Sequence, residues 1–359
     1  MKTYEKLSDI SELIGGYAFK SDSYVNDGIR VVRITNVQDG YFSDEHPCFY
    51  PSSISSELGK ANLKENDLLM SLTGNIGRVA FLPASMLPAG LNQRVECIRV
   101  KNNLLKKYLF FYFRNTAFVN EAIKNSTGVA QLNLSIKWLG DHMVPIPERK
   151  TMELIVSSLE QIDELIEKCN KELEFYDELT KSRFNEMFGD PLRNKKEFRV
   201  VPLNELTPFN SIKGKVQITD QTWLLNLDMV ESNSGRIISK FRTSKVDGST
   251  IEFDTNCVLY SKLRPYLNKV VIPDEDGFAT SELISLRCNK KTIEREYLAT
   301  ALRHKSFVDF INSKTAGAKM PRANMDELRK FKMPVPSIQE QQKFSAFVRE
   351  IDKLKFSIR

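Results

Sequence analysis

Glycine and proline are missing from one long stretch of this 359-residue sequence: neither occurs between Arg149 and Phe188. Histidine is scarce, and His46, His142 and His304 lie far apart. Without HExxH or clustered Cys/His spacing, they exclude the usual metal sites. Five cysteines, Cys48, Cys97, Cys169, Cys257 and Cys288, are odd in number and never spaced C-x-x-C. That pattern argues for reduced thiols and a cytoplasmic location. No apolar run approaches the ~18 residues of a bilayer span, and Met1-Lys2-Thr3-Tyr4-Glu5-Lys6 has no signal-peptide core. G-x-x-x-x-G-K-[ST], G-x-S-x-G and any Pro-Pro dipeptide are absent, so the sequence shows no P-loop, no nucleophile elbow and no Asn/Asp-Pro-Pro-aromatic site of a base methyltransferase. Gly74-Asn75-Ile76-Gly77-Arg78 comes nearest to a dinucleotide loop and reads as a hairpin turn. These gaps favour a binder over a catalyst: no catalytic residue, metal ligand or cofactor is expected in this chain.

The stretch without glycine or proline is what the rest is organised around. Its apolar residues Met152, Ile155, Leu159, Ile162, Ile166, Cys169, Leu173 and Tyr176 recur at alternating intervals of 3 and 4. Such spacing makes a heptad seam, narrower than the stripe of a surface helix. Pro145 and Pro147 precede it, and Gly189 with Pro191 ends it. A helix of that length is a rod of roughly 60 Å, and its seam requires a partner helix. Ser337-Ile338-Gln339-Glu340 is a capping box that opens a second amphipathic helix, about two-thirds as long, ending at Arg359. The expected seam joins Ile155, Leu159, Ile162, Ile166 and Leu173 to Phe344, Val348 and Ile351.

A shift of 189 residues lays one part of the chain on another. Tyr108-Leu109 falls on Tyr297-Leu298, Arg114 on Arg303, Phe118-Val119 on Phe307-Val308, Pro145 and Pro147 on Pro334 and Pro336, and Ile162-Asp163 on Ile351-Asp352. Leu68-Leu69-Met70-Ser71 matches Val258-Leu259-Tyr260-Ser261 at a slightly looser offset. This is an internal duplication with a period long enough to make two domains. Each copy holds short β-like runs separated by turn signals, then one helix, over 106–124 in the first and 294–312 in the second. The expected organisation is a mixed α/β (α+β) fold: domain 1–146, helix 147–191, domain 192–335, helix 336–359. The charge follows that plan. Residues 1–150 carry 18 basic and 15 acidic side chains, residues 151–191 carry 4 and 11, and residues 192–359 carry 30 and 20. Nucleic acid is drawn to the basic units and repelled by the acidic rod.

Taken together, the duplicated units, the paired Pro-x-Pro segments and the long helices resemble the specificity subunit of type I DNA restriction–modification systems. The stretches that carry the likeness are Asn66-Asp67-Leu68-Leu69-Met70-Ser71 with Gly74 and Gly77-Arg78-Val79, Val258 through Lys269, Met143-Val144-Pro145-Ile146-Pro147 with Met333-Pro334-Val335-Pro336, and Ser182 through Asp190. The resemblance implies two target-recognition domains, each reading half of a split double-stranded DNA target, held apart by an antiparallel coiled coil. It further implies two methyltransferase subunits that dock on this chain and modify adenine with S-adenosylmethionine, and restriction/translocase subunits that use ATP and Mg. All cofactors would then lie on partners. The acidic residues Glu160, Asp163, Glu164 and Glu167 form a candidate docking face.

Reading bases needs Arg for guanine and Asn or Gln for adenine, whereas lysines and hydroxyls position phosphates. The DNA-binding candidates are Thr73, Asn75, Arg78, Asn92, Gln93, Arg94, Gln131 and Asn133 in the first unit. In the second they are Lys262, Arg264, Asn268, Lys269, Lys319, Arg322 and Asn324. Two rivals stay open: a standalone nuclease or methyltransferase, against which the missing motifs speak, and a duplicated coiled-coil adaptor that binds only protein.

Overall fold

The computed structural model describes residues 3–128, 131–315 and 320–358, and contacts divide the chain into two compact units, 1–166 and 167–359. The first unit contains strands β1 (Thr3–Lys6), β2 (Glu12–Gly15), β3 (Ile29–Val32), β4 (Phe49–Tyr50), β5 (Leu68–Ser71), β6 (Val79–Phe81), β7 (Ala89–Leu91), β8 (Val95–Arg99) and β9 (Met143–Ile146). Its helices are α1 (Leu7–Ile10), α2 (Ser55–Leu58), α3 (Asn103–Phe113), α4 (Thr116–Lys124), α5 (Ile136–Asp141) and the first part of α6 (Arg149–Phe188). A four-stranded sheet runs β2-β8-β5-β6, a three-stranded sheet β4-β3-β7, and β1 pairs with β9.

β5 and β8 are buried along nearly their whole length because both faces of their sheet are covered. Leu68, Met70 and Ile98 face a core with Leu109 and Phe113 of α3. Leu69, Ala80 and Cys97 face a second core with Val32 and Leu91. A strand buried on both sides has no polar face to alternate with.

The second unit repeats this plan with β10 (Val200–Pro202), β11 (Trp223–Leu225), β12 (Phe241–Arg242), β13 (Ile251–Phe253), β14 (Cys257–Ser261), β15 (Val270–Val271), β16 (Gly277–Ala279), β17 (Leu283–Arg287) and β18 (Lys332–Pro334). Its helices are the rest of α6, then α7 (Leu203–Leu206), α8 (Arg295–Arg303), α9 (Lys305–Ser313), α10 (Met325–Lys330) and α11 (Ile338–Ile358). The sheet β15-β14-β17 corresponds to β6-β5-β8, and β10-β18 to β1-β9. The parallel pair β11–β16 matches the parallel pair β3–β7. Hydrogen bonds repeat as well. The Tyr108 hydroxyl donates to the Pro145 carbonyl at 2.6 Å, and the Tyr297 hydroxyl to the Pro334 carbonyl at 2.7 Å.

One helix was expected in each unit where the structure has two. The Asn115 side chain accepts from the Ala117 amide at 2.8 Å and caps α4; His304 Nδ1 accepts from the Ser306 amide at 3.2 Å and opens α9. A polar side chain that satisfies the first amides of a new helix competes with continuing the old one. The capping box at α11 is present, with Glu340 accepting from the Ser337 amide at 3.2 Å. Gly189 stops α6 at a φ of +72°, in the left-handed region that favours glycine.

α6 is a single 40-residue helix, but its seam is covered differently from expectation. Met152 and Val156 are buried near its start, and Phe184 and Phe188 near its end. Ile155, Leu159 and Leu173 are half-buried. Ile162 and Ile166 are 50% and 52% exposed, so they are not seam residues covered by a helix of this chain. The periodicity describes the helix, while coverage depends on what packs at each turn. Within the second unit α11 runs antiparallel to the end of α6: Phe344 lies against Phe184 and Phe188, and Lys355 reaches Asp177. Phe344, Val348 and Ile351 are buried, with Phe344 packed on Phe184 and Phe188, which the expected seam did not include.

Each unit clamps its own helix with an ion pair at equivalent positions, and the charges are reversed between them. Lys107 meets Glu160 at 2.6 Å in the first unit. In the second, Glu296 sits at the position of Lys107 and Arg349 at that of Glu160, with a 3.2 Å contact.

Candidate nucleic-acid interface

In the first unit the β5–β6 connection and the segment 131–134 are stitched together by backbone bonds. The Gly74 amide donates to the Leu132 carbonyl at 3.1 Å, and the Leu134 amide to the Leu72 carbonyl at 2.8 Å. The Leu72 amide donates to the Arg94 carbonyl at 3.0 Å. This brings Thr73, Asn75, Arg78, Arg94, Gln131 and Asn133 to one edge of the unit. Gly74 has a φ of +76°, in the left-handed region that favours glycine.

The six residues play different parts. Thr73 is buried, and its hydroxyl donates to Asn133 Oδ1 at 2.7 Å. It ties the two segments and does not reach outward. Asn92 is half-buried and caps its own turn, accepting from the Arg94 amide at 3.2 Å. Gln93, Arg94, Gln131, Asn133 and Asn75 are exposed. Arg78 is half-buried and lines a cavity of about 380 Å³ with Asn36, Gln38, Tyr41, His46 and Asn75. Its Nη1 donates to Gln38 Oε1 at 2.7 Å. With the Asn75 amide turned oxygen-inward, Asn75 accepts from Nη1 at 3.1 Å and Nη2 at 3.3 Å.

The second unit builds the same frame. The Ala323 amide donates to the Lys262 carbonyl and the Arg264 amide to the Pro321 carbonyl, both at 2.8 Å. The Lys262 amide donates to the Glu282 carbonyl at 2.9 Å. Lys262, Arg264 and Arg322 are thereby gathered at one edge, with exposed Tyr266 beside them. Arg322 pairs with Glu282 at 2.8 Å. Three expected contacts are spent on the fold instead. Asn324 is the N-cap of α10 and accepts from the Asp326 and Glu327 amides. Asn268, at a φ of +50°, donates to the Arg303 carbonyl at 3.0 Å. Lys269 Nζ donates to the Leu227 carbonyl at 2.7 Å, and burial lowers its pKa against the opposing pull of Asp228. Lys319 lies outside the described residues.

Backbone bonds make the correspondence residue by residue. The Ser71 amide donates to the Arg78 carbonyl at 2.9 Å, and the Ser261 amide to the Lys269 carbonyl at 3.1 Å. Thr73 bridges Asn133 as Leu263 bridges Arg322. Thr73 thus corresponds to Leu263, Arg78 to Lys269, Arg94 to Glu282 and Asn133 to Arg322. One frame carries two different sets of side chains.

Gln38, Tyr41 and His46 were not among the sequence candidates. They follow β3 in an irregular loop with no periodicity, where only the Asp39-Gly40 turn signal stands out. The acidic face on α6 is in part neutralised: Glu160 pairs with Lys107, Asp163 with Arg114 at 2.5 Å, and Glu167 with Lys171 at 2.5 Å. Among the described residues no group of three His, Cys, Asp or Glu side chains could hold a metal ion, and no helix is long and apolar enough to cross a membrane.

Comparison with known proteins adds a family. The model described as "Type I restriction modification DNA specificity domain" matches residues 1–174 and 195–359. The type I restriction enzyme EcoAI specificity subunit of Escherichia coli is 30% identical over 172 residues, 46% of this chain and 28% of that protein. The MjaVIII specificity subunit of Methanocaldococcus jannaschii is 26% identical over 195 residues, 53% of this chain and 46% of that protein. The chain thus spans less than half the length of either relative. The crystal structure of a type I restriction–modification system S subunit from M. genitalium shares the fold, with a TM-score of 0.58 at 14% identity, covering 100% of this chain and 91% of that one.

Proposed function

This chain belongs to the type I restriction modification DNA specificity family, and from that premise we propose that it reads a split double-stranded DNA target, one half with each unit. The observation that carries this reading is the repeated edge with exchanged side chains: exposed Arg94 and Asn133 in the first unit stand where Glu282 and exposed Arg322 stand in the second. A frame that is kept while its outward groups change is what two readers of different sequences require, since base edges are told apart by donor and acceptor patterns. The basic balance of residues 1–150 and 192–359 supplies the phosphate attraction.

α6 and α11 set the separation of the two half-sites and dock two methyltransferase subunits, which modify adenine with S-adenosylmethionine. Restriction/translocase subunits using ATP and Mg join that assembly in the cytoplasm, and this chain itself supplies no catalytic group. The half-exposed Ile162 and Ile166, with exposed Leu165, give the middle of α6 an apolar surface suited to a protein partner. Titration of the full chain against random duplex DNA over a range of salt concentrations tests the reading. A DNA reader loses affinity linearly in log salt as counterions are released. A flat response would leave the protein-only adaptor as the better account.

A further inference from the structure

We propose that Arg78 reads a guanine in the half-target of the first unit, with Gln38 and Asn75 as the residues that position it. This rests on the DNA-reading function above. Three features of the site separate a base reader from a phosphate contact.

The guanidinium is held by neutral amides. Gln38 is itself fixed at both ends, its Nε2 donating to the Thr35 carbonyl at 2.8 Å and its Oε1 accepting from Arg78 Nη1 at 2.7 Å. Asn75 takes Nη1 and Nη2 on the neighbouring edge. Neither partner carries charge, so the cation keeps its full positive charge while its plane is fixed. Arg322 in the second unit is different, being exposed and paired with the carboxylate of Glu282.

The unused part of the fork has the right shape. Nε and the second proton of Nη2 have no partner among the described residues. Those two parallel donors fit the adjacent acceptors O6 and N7 of guanine, which no other base offers together in the major groove.

The position is half-buried at a polar cavity that also presents Asn36, Tyr41 and Asn75. A locked side chain has already lost the rotamer freedom that binding would otherwise cost. The equivalent Lys269 is capped on the Leu227 carbonyl, so the guanine contact belongs to one half-target only.

The test uses the full chain and selection of bound sequences from randomised duplex DNA. The wild type is expected to select a guanine at one position of one half. Arg78→Ala should relax that position alone and weaken the selected duplex roughly ten- to hundredfold. Arg78→Lys keeps the charge and the salt slope yet loses the preference, because an ammonium has no fork. Replacing that guanine by 7-deazaguanine removes one acceptor, so it should weaken the wild type and leave Arg78→Ala indifferent. Gln38→Ala should give a partial loss at the same position. Unfolding midpoints of the Lys variant matching wild type exclude misfolding. Uniform weakening of every sequence by Arg78→Ala, or equal sensitivity of both proteins to 7-deazaguanine, overturns the assignment. If the wild type binds DNA but selects no sequence at all, the DNA-reading function fails first and the assignment falls with it.

Discussion

Glu96 is the most exposed point of the account to a thermodynamic test. It lies on β8 between Met70 and Gly15 in the sheet, is 0% exposed, and neither carboxylate oxygen has a hydrogen-bond partner. The register that places Glu96 opposite Met70 places Ile284 opposite Tyr260 in the second unit, so the frame accepts an apolar group there. Burial without a partner pushes the carboxyl up from an ordinary 4.5 to about 7. Below pH 4.5 both folded and unfolded chains hold the proton, and Glu96 makes no pH-dependent contribution. Between 4.5 and about 7 the unfolded chain has released it while the folded one retains it, so stability falls as pH rises. Above 7 the loss is complete, at about 3 kcal/mol from the size of the shift. Glu96→Gln removes the titration and keeps the shape. Its stability relative to wild type should therefore rise by about 2.5 kcal/mol from pH 5 to pH 8. Urea unfolding followed by fluorescence reads this best. The two tryptophans, Trp138 and Trp223, fall one in each unit, so a Trp223→Phe background leaves Trp138 as reporter of the first. Parallel pH profiles for the variant and its parent would refute the argument, because Glu96 would then have to be ionised and satisfied.

Other consequences follow from the ion pairs and the reading edge. Reversing Lys107 or Glu160 alone should cost about 0.5–1 kcal/mol of stability, given the partial exposure of both; the double reversal should recover it, reproducing the Glu296–Arg349 arrangement, and a double-mutant cycle with no coupling energy would count against the clamp. Arg322→Ala should weaken binding by roughly 1–3 kcal/mol for one target half if it reads a base, and for all sequences alike if it touches phosphate, measured by competition between duplexes altered in one half at a time. Asn324→Ala should cost about 1 kcal/mol of stability through loss of the α10 cap while leaving the selected DNA sequence unchanged; an altered selection would return Asn324 to the reading edge.

What was legible in the sequence was the frame. The constant offset linking Tyr108 with Tyr297 and Pro145 with Pro334 marks side chains that make the same hydrogen bond in both units, and local signals such as the Ser337–Glu340 capping box hold in the structure. Helix breaks at Asn115 and His304 were missed because a cap looks like any polar residue until the chain turns around it. The same difficulty hides the purpose of Asn324. The heptad intervals through Ile162 and Ile166 are real, yet periodicity cannot say how far a neighbouring helix extends. Arg78 could be picked from its turn, but its partner Gln38 sits 40 residues earlier in a loop without pattern, brought close only by tertiary packing. Candidate reading positions therefore emerge from composition and turns, and their buttresses do not.

The central claim is that two sister units read two separate pieces of DNA. Sequencing the duplexes that the full chain selects from a random pool measures this directly. Two short specified blocks of different sequence, divided by an unspecified spacer of constant length, are the expected result. A single uninterrupted motif, or enrichment of none, would contradict it.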